Sequence, residues 1–341
     1  MKGLVKFAEG PEGLEIRDLE KPAPKPGELL VKVMAAGICG TDLHIMRDEY
    51  KYSPPVVLGH EFTGVVEELG EGASGFRPGD QIVCITAVVS CGKCRYCRLG
   101  LNMLCNERKS IGSGVNGAMA EYVAVPADLA YIVPENLAGS DVMALAEPLA
   151  CMVRAVIEQS SVKAGDVALV SGPGAIGQLA AFLARRQGAF VILAGTGGDT
   201  ERLRLGREFC ADATAQGREE LEALVARHTK DGVDVAIECA GAAASLDTCI
   251  DLVRKRGIVS QAGLFGKKIP VDMDRILMKE LRLTVSYATE RTSWDIMMRL
   301  AAQGRLAGIE KLISARVPLA DWRRAFRMAE NKEGFKIFLT P

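Results

Sequence analysis

The chain has 341 residues, 48% of them apolar and 25% charged, with a formal net charge of −1. This is ordinary globular composition at a length that accommodates two domains. No block of like charges and no apolar run near the ~18–20 residues of a bilayer span occurs, which excludes nucleic-acid and membrane partners, and the first ten residues lack the apolar core of a secretion signal, so a cytoplasmic protein is expected.

Residues 1 to about 140 read as β-rich. Short apolar runs at 29–35, 63–69, 81–85 and 120–125 are separated by Gly, Pro and Asp. A helical pattern opens near 138–159, where Asp141, Val142, Ala144 and Leu145 begin it. From about 165 short buried runs at 167–170, 191–194, 233–238, 257–261 and 281–286 alternate with amphipathic stretches at 176–187, 202–210 and 244–253. Strands alternating with helices of this length mean βαβ units and a parallel sheet. A helix at 295–302, another near 321–330 and a strand at 336–339 close the chain. The change of texture places a domain boundary near residue 145.

The run from Asp166 through Ser171 leads into Gly172-Pro-Gly174-Ala175-Ile176-Gly177. Glycine at these spacings allows a tight turn, close approach of a pyrophosphate and close packing of helix on strand, with the phosphates at the positive helix end. In a βαβ context this is a dinucleotide loop. An NAD-specific fold ends the next strand with a carboxylate for the ribose 2′-hydroxyl, and here Gly195 stands at that position. Asp199 or Glu201 could replace it from the loop that follows, while Thr196, Arg202 or Arg204 could accommodate a 2′-phosphate. The balance leans slightly to NADP over NAD.

Four of the ten cysteines, Cys91, Cys94, Cys97 and Cys105, fall within fifteen positions. In a reducing compartment such a cluster reads as a metal site before it reads as disulfides. Four thiolates close a tetrahedral zinc shell, the structural type of site, with Lys93, Arg95 and Arg98 offsetting its charge. An iron–sulfur cluster is the rival occupant. A second, dispersed constellation joins Cys39, Thr41 and His44 to His60-Glu61 and to Glu147-Pro148. Taken singly each has a structural explanation, but two of only three histidines lie in these glycine-flanked segments.

Together these segments resemble the zinc-containing medium-chain dehydrogenases, the family of alcohol, sorbitol and threonine dehydrogenases, over essentially the whole chain. The Gly59-His60-Glu61 step, the four-cysteine lobe, the glycine-rich loop and the Cys239-Ala-Gly241 turn occur in the family's order. The resemblance implies an α/β protein: a GroES-like β-rich catalytic domain, residues 1–145 with 286–341, carrying two zinc ions, and a Rossmann doubly wound parallel sheet, residues 146–285. It implies a catalytic zinc on Cys39 and His60 with Glu61 as third ligand, Glu147 being the alternative, acting directly or through a zinc-bound water as in the sorbitol-type branch. Thr41 and His44 would form the proton relay, with Asp42 structural. The implied cofactor set is Gly172, Gly174, Ala175, Ile176, Gly177, Gly195, Thr196, Arg202 and Gly263. The expected reaction is reversible NAD(P)-linked oxidation of a secondary alcohol, a polyol or sugar alcohol, by a homodimer or homotetramer. Tyr287 and Arg291 stand as possible polyol contacts. Threonine or another amino alcohol and simple alcohols are the rival substrates, and a non-enzymatic zinc-stabilised dinucleotide sensor is the rival from another class.

Overall fold

One long strand, Glu28–Gly37, organises the first compact unit of the computed structural model, which describes residues 1–341. Leu29, Leu30, Val31, Val33, Ala35 and Ala36 are all buried along it, as expected of a central strand covered on both faces. The unit comprises Met1–Glu147 and Thr289–Pro341. Glu61–Leu69 pairs antiparallel along one side of the long strand, and Tyr122–Pro126 and Lys336–Thr340 along the other. Gly37, at its end, lies opposite Glu61 on one neighbour and Phe338 on the other. Ile313–Pro318, Gln81–Cys84 and Ala130–Ile132 complete seven strands. A smaller sheet joins Leu14–Asp18, Lys2–Lys6 and Val56–Val57.

The second unit, Pro148–Ala288, is a six-stranded parallel sheet in the order Ala213–Gln216, Phe190–Gly195, Val167–Ser171, Val233–Glu238, Val253–Gln261, Arg282–Val285. Numbered along the chain that order is 3-2-1-4-5-6, the Rossmann arrangement whose ligand crevice lies where the order reverses, beyond the first strand. The helix Ala175–Arg186 follows that strand directly, burying Leu179, Ala180, Phe182 and Leu183. No helix in the protein is long and apolar enough to cross a membrane.

Several elements carry no sequence pattern strong enough to predict. The strand Ala213–Gln216 reads Ala-Thr-Ala-Gln, with one β-branched residue, at a sheet edge. The helix after it, Arg218–His228, buries only Leu221 and Val225. In the first unit the helix Gly40–Met46 is seven residues long, too short to show a period. The helical stretch expected from 138 instead begins as a tight 3₁₀ turn at Asp141–Leu145, opened by the Ser140 side chain accepting from the Val142 N–H, and is α-helical only from Ala146.

Candidate active site

Cys39 leaves the end of the long strand and begins the helix Gly40–Met46. The Asp42 carboxylate folds back to accept from the Cys39 N–H at 2.8 Å and from the Gly59 N–H at 3.3 Å, which ties the start of this helix to the turn before His60. That turn needs glycine: Gly59 has φ 91°, and a Cβ there would lie 2.6 Å from Met119 Cγ. Two segments well separated in sequence are thereby locked together. Donor atoms of Cys39, His60 and Glu61 come within 4.8 Å of one another.

The electrostatics of this cluster favour a cation. Burial alone would push the His60 imidazole below its usual pKa, yet the Cys39 sulfur, Asp42 and Glu147 hold it well above. Asp42 Oδ1 stands 3.9 Å from His60 Nδ1, and burial raises its carboxyl against the two N–H donors. A mostly buried histidine pressed toward its charged form by a thiol and carboxylates marks a pocket whose negative charge a metal ion would neutralise, so the donor set fits zinc. Glu147 acts on His60 through its charge but stands outside the three-donor cluster.

Glu61 has a partner that sequence does not reveal. Both carboxylate oxygens accept from Lys336 Nζ, and both side chains are buried. Burial works against the Lys336 ammonium, while Glu61, Cys39 and Glu147 raise its pKa. The lysine comes from the first residue of the strand Lys336–Thr340.

Thr41 and His44 lie on the same short helix, Thr41 Oγ1 3.8 Å from Cys39 Sγ and the His44 ring half exposed. Ile45 and Met46, next along, are core residues. Arg291 is engaged within its own unit, donating to the Asp128 carbonyl at 2.8 Å and approaching its carboxylate at 3.3 Å.

The four-cysteine lobe is a second donor cluster. Cys91, Cys94, Cys97 and Cys105 sulfurs converge within 4.8 Å. The Cys94–Cys97 and Cys91–Cys97 sulfurs are 3.5 and 3.9 Å apart, far longer than a disulfide. They match the roughly 3.8 Å separation that tetrahedral angles and ~2.3 Å zinc–sulfur bonds require. Backbone N–H groups of Cys91, Cys94 and Cys97 point at sulfurs of the set at 3.3–3.5 Å. The N–H groups of Lys93 and Cys94 lower the Cys91 thiol, whereas burial raises Cys97. One easily formed thiolate in a nest of N–H donors suits a metal.

In the second unit, Gly172 turns at φ 103°, and a Cβ on Gly177 would lie 1.8 Å from the Gly172 carbonyl. Only glycine at 177 lets the helix begin this close to the strand. Gly174 caps the helix with no side-chain hydrogen bond, so Ala175, Ile176 and Gly177 offer the free N–H groups of its first turn to an anion. A cavity of about 350 Å³ opens here, lined by Gly172, Gly195, Thr196, Asp199, Arg218 and Ser245 among others. Asp199 Oδ2 accepts from the Thr196 N–H and hydroxyl at 2.9 and 2.8 Å, and Arg202 approaches Asp199 at 3.6 Å. Gly263 lies in the turn after the strand Val253–Gln261, where a Cβ would meet Gly241 N at 2.4 Å.

Comparison with known proteins places these features. Residues 25–135 match the alcohol dehydrogenase GroES-like domain and residues 175–303 the zinc-binding dehydrogenase domain. A sorbitol dehydrogenase of Halalkalibacterium halodurans is 35% identical, covering 100% of this chain and 99% of the relative. A D-arabitol-phosphate dehydrogenase of Enterococcus avium is 35% identical over 99% and 97%. A putative zinc-binding dehydrogenase from Sinorhizobium meliloti 1021, solved bound to NADP, superposes with a TM-score of 0.90 at 35% identity, covering 100% of this chain and 99% of that one.

Proposed function

Because the chain belongs to the zinc-binding dehydrogenase family and is an NAD(P)-dependent oxidoreductase of alcohols, we propose that it oxidises a polyol or sugar alcohol at a secondary carbon to a ketone, reversibly. The observation that carries this reading is the meeting of Cys39 and His60, with Glu61 beside them, at the start of the helix that bears Thr41 and His44. The activities named for the sorbitol and D-arabitol-phosphate relatives supply the substrate class. Bound at this cluster, zinc would supply Lewis acidity that lowers the pKa of an alcohol oxygen, and the nicotinamide would accept a hydride. Cys39 and His60 would hold the metal. We assign the third position to Glu147, since Lys336 already engages both oxygens of Glu61; Glu61 is then the reserve ligand. Thr41 takes the substrate hydroxyl proton and His44 conveys it toward solvent.

For the cofactor we favour NADP. Asp199 is engaged by Thr196 and Arg202, and Glu201 by Arg204 at 3.0 Å, so both candidate carboxylates for a ribose hydroxyl already have partners, and a relative of similar fold binds NADP. The second reading, NAD, is favoured by one distance: Asp199 Oδ2 lies 3.2 Å from where a Cβ at position 195 would stand. For association we favour a homodimer or homotetramer formed through the exposed edge of the parallel sheet.

The test is a screen of polyols, amino alcohols and simple alcohols with each dinucleotide, read by absorbance of the reduced cofactor. Polyols should give the highest kcat/KM, with a lower KM for NADP than for NAD. A better amino alcohol or simple alcohol overturns the substrate class, and turnover that survives Cys39→Ser overturns the zinc site. Dinucleotide binding without any turnover would favour the sensor.

A further inference from the structure

The helix Gly40–Met46 ends in a Schellman-type terminus. The Asp48 N–H donates to the Ile45 carbonyl at 3.1 Å and the Glu49 N–H to the His44 carbonyl at 2.8 Å, with Asp48 itself at φ 61°. Such a terminus folds the residue two beyond the cap back over the residue three before it, commonly as an apolar contact. Here those two residues are Glu49 and His44, and their side chains meet, His44 Nδ1 to Glu49 Oε2 at 2.6 Å.

A buried lysine holds this terminus from behind. Lys6, with a fully buried side chain, donates to the Met46 carbonyl at 3.1 Å and the Gly10 carbonyl at 2.7 Å, and pairs with Asp48 at 3.0 Å. Asp48 also accepts from the Gly10 N–H at 2.5 Å and the Tyr52 hydroxyl at 2.6 Å. The left-handed residue that aims Glu49 at His44 is therefore fixed from three sides. Arg47 also lies near the pair, 4.0 Å from Glu49 and ion-paired with Glu330 of the helix Trp322–Glu330, beside a groove lined by Arg323 and Arg327.

We propose that Glu49 is the positioning residue for His44, its carboxylate accepting the Nδ1 proton so that Nε2 is the bare nitrogen that receives the substrate's proton. The partner of one ring nitrogen decides which nitrogen can act as base. Oxidation of a secondary alcohol breaks its C–H and O–H bonds and yields a ketone, a hydride that carries two electrons to the nicotinamide, and one proton. By way of the Thr41 hydroxyl, which takes the substrate's proton as it gives up its own, one proton bonds to His44 Nε2; the resulting imidazolium is paired with the Glu49 carboxylate, and one proton then leaves the ring for water.

The inference rests on the relay reading of His44, and the test separates the two. The chain has three histidines, so the imidazole nitrogens of the ¹⁵N-labelled, zinc-loaded enzyme can be assigned with His44→Ala as reference. In neutral His44 the wild type should show the proton on Nδ1, and Glu49→Ala should show it mainly on Nε2. Glu49→Ala should lower kcat about tenfold with the alcohol KM within about twofold, an effect of the size expected for a group that orients a base. Glu49→Gln, which can still accept from Nδ1–H, should recover most of the loss. Unchanged tautomer and unchanged kcat in Glu49→Ala would overturn the role of Glu49. Full kcat in His44→Ala would instead overturn the relay itself.

Discussion

At the scale of single residues, the pair Lys336–Glu61 shows what spacing conceals. The two lie 275 positions apart, and a lysine opening a strand is ordinarily read as a solvated flank. The cause of the pairing is electrostatic: a carboxylate with no exposed surface, facing a pocket of other donors, needs a cation that is not the metal. Replacing one partner of a buried pair leaves the other charge uncompensated, at a cost of about 3–5 kcal/mol. Lys336→Met should therefore lower stability by about that amount in urea unfolding, and adding Glu61→Gln should restore much of it. If the double variant were no more stable than the single one, the pair would not be the reason for the loss. The four cysteines are legible in sequence because all lie within fifteen positions, so local geometry alone brings them together. Cys39, His60 and Glu61 are legible only as suspects, since their meeting depends on Asp42 and Gly59 joining two segments.

Elements differ in how plainly they announce themselves. The alternation of apolar runs with amphipathic stretches after residue 165 reads directly as a parallel sheet, because its inner strands Val167–Ser171, Phe190–Gly195 and Val233–Glu238 are largely buried. The weakly patterned edge strand Ala213–Gln216 and the polar helix Arg218–His228 escape the same reasoning. The terminus of the helix Gly40–Met46 gives an element-level prediction in pH. Tyr52, the Gly10 N–H and Lys6 hold the Asp48 carboxyl at about 2, below its unfolded value of ~3.9. A depressed carboxyl stabilises the fold above the unfolded pKa and loses that contribution as pH falls through the folded one. Asp48→Asn, which tolerates the same backbone conformation, should melt below wild type from about pH 5 to 7. The gap should shrink as pH drops from about 4 toward 2, and a gap constant with pH would refute the charge as its cause. At the opposite edge of the parallel sheet, Arg282–Val285 leaves Leu283 and Val285 exposed, near exposed Leu277 and Met278. An open edge with apolar side chains pairs readily with another chain. Leu283→Lys with Val285→Lys should shift the sedimentation coefficient to that of a monomer, whereas a wild-type monomer would remove this edge as an interface.

For the whole molecule, the countable quantity is metal. Two donor clusters of different character, one closed by four sulfurs and one mixed, should carry about two zinc ions per chain, of which the four-sulfur site is the structural type. Atomic absorption on Cys97→Ser should return about one, with a lower Tm. A wild-type value of one would mean that one cluster is empty.

The sheet of the first unit also has a history in time. A ribosome delivers Glu28–Gly37 and Glu61 long before Lys336–Thr340. Until then the long strand has Tyr122–Pro126 on that flank but no neighbour at Ala36 and Gly37, and Glu61 must be buried without its cation or stay out of the core. The intervening Pro148–Ala288 unit has all of its strands before that moment. During vectorial synthesis the dinucleotide unit therefore has all of its strands available before the metal-binding unit receives Lys336–Thr340.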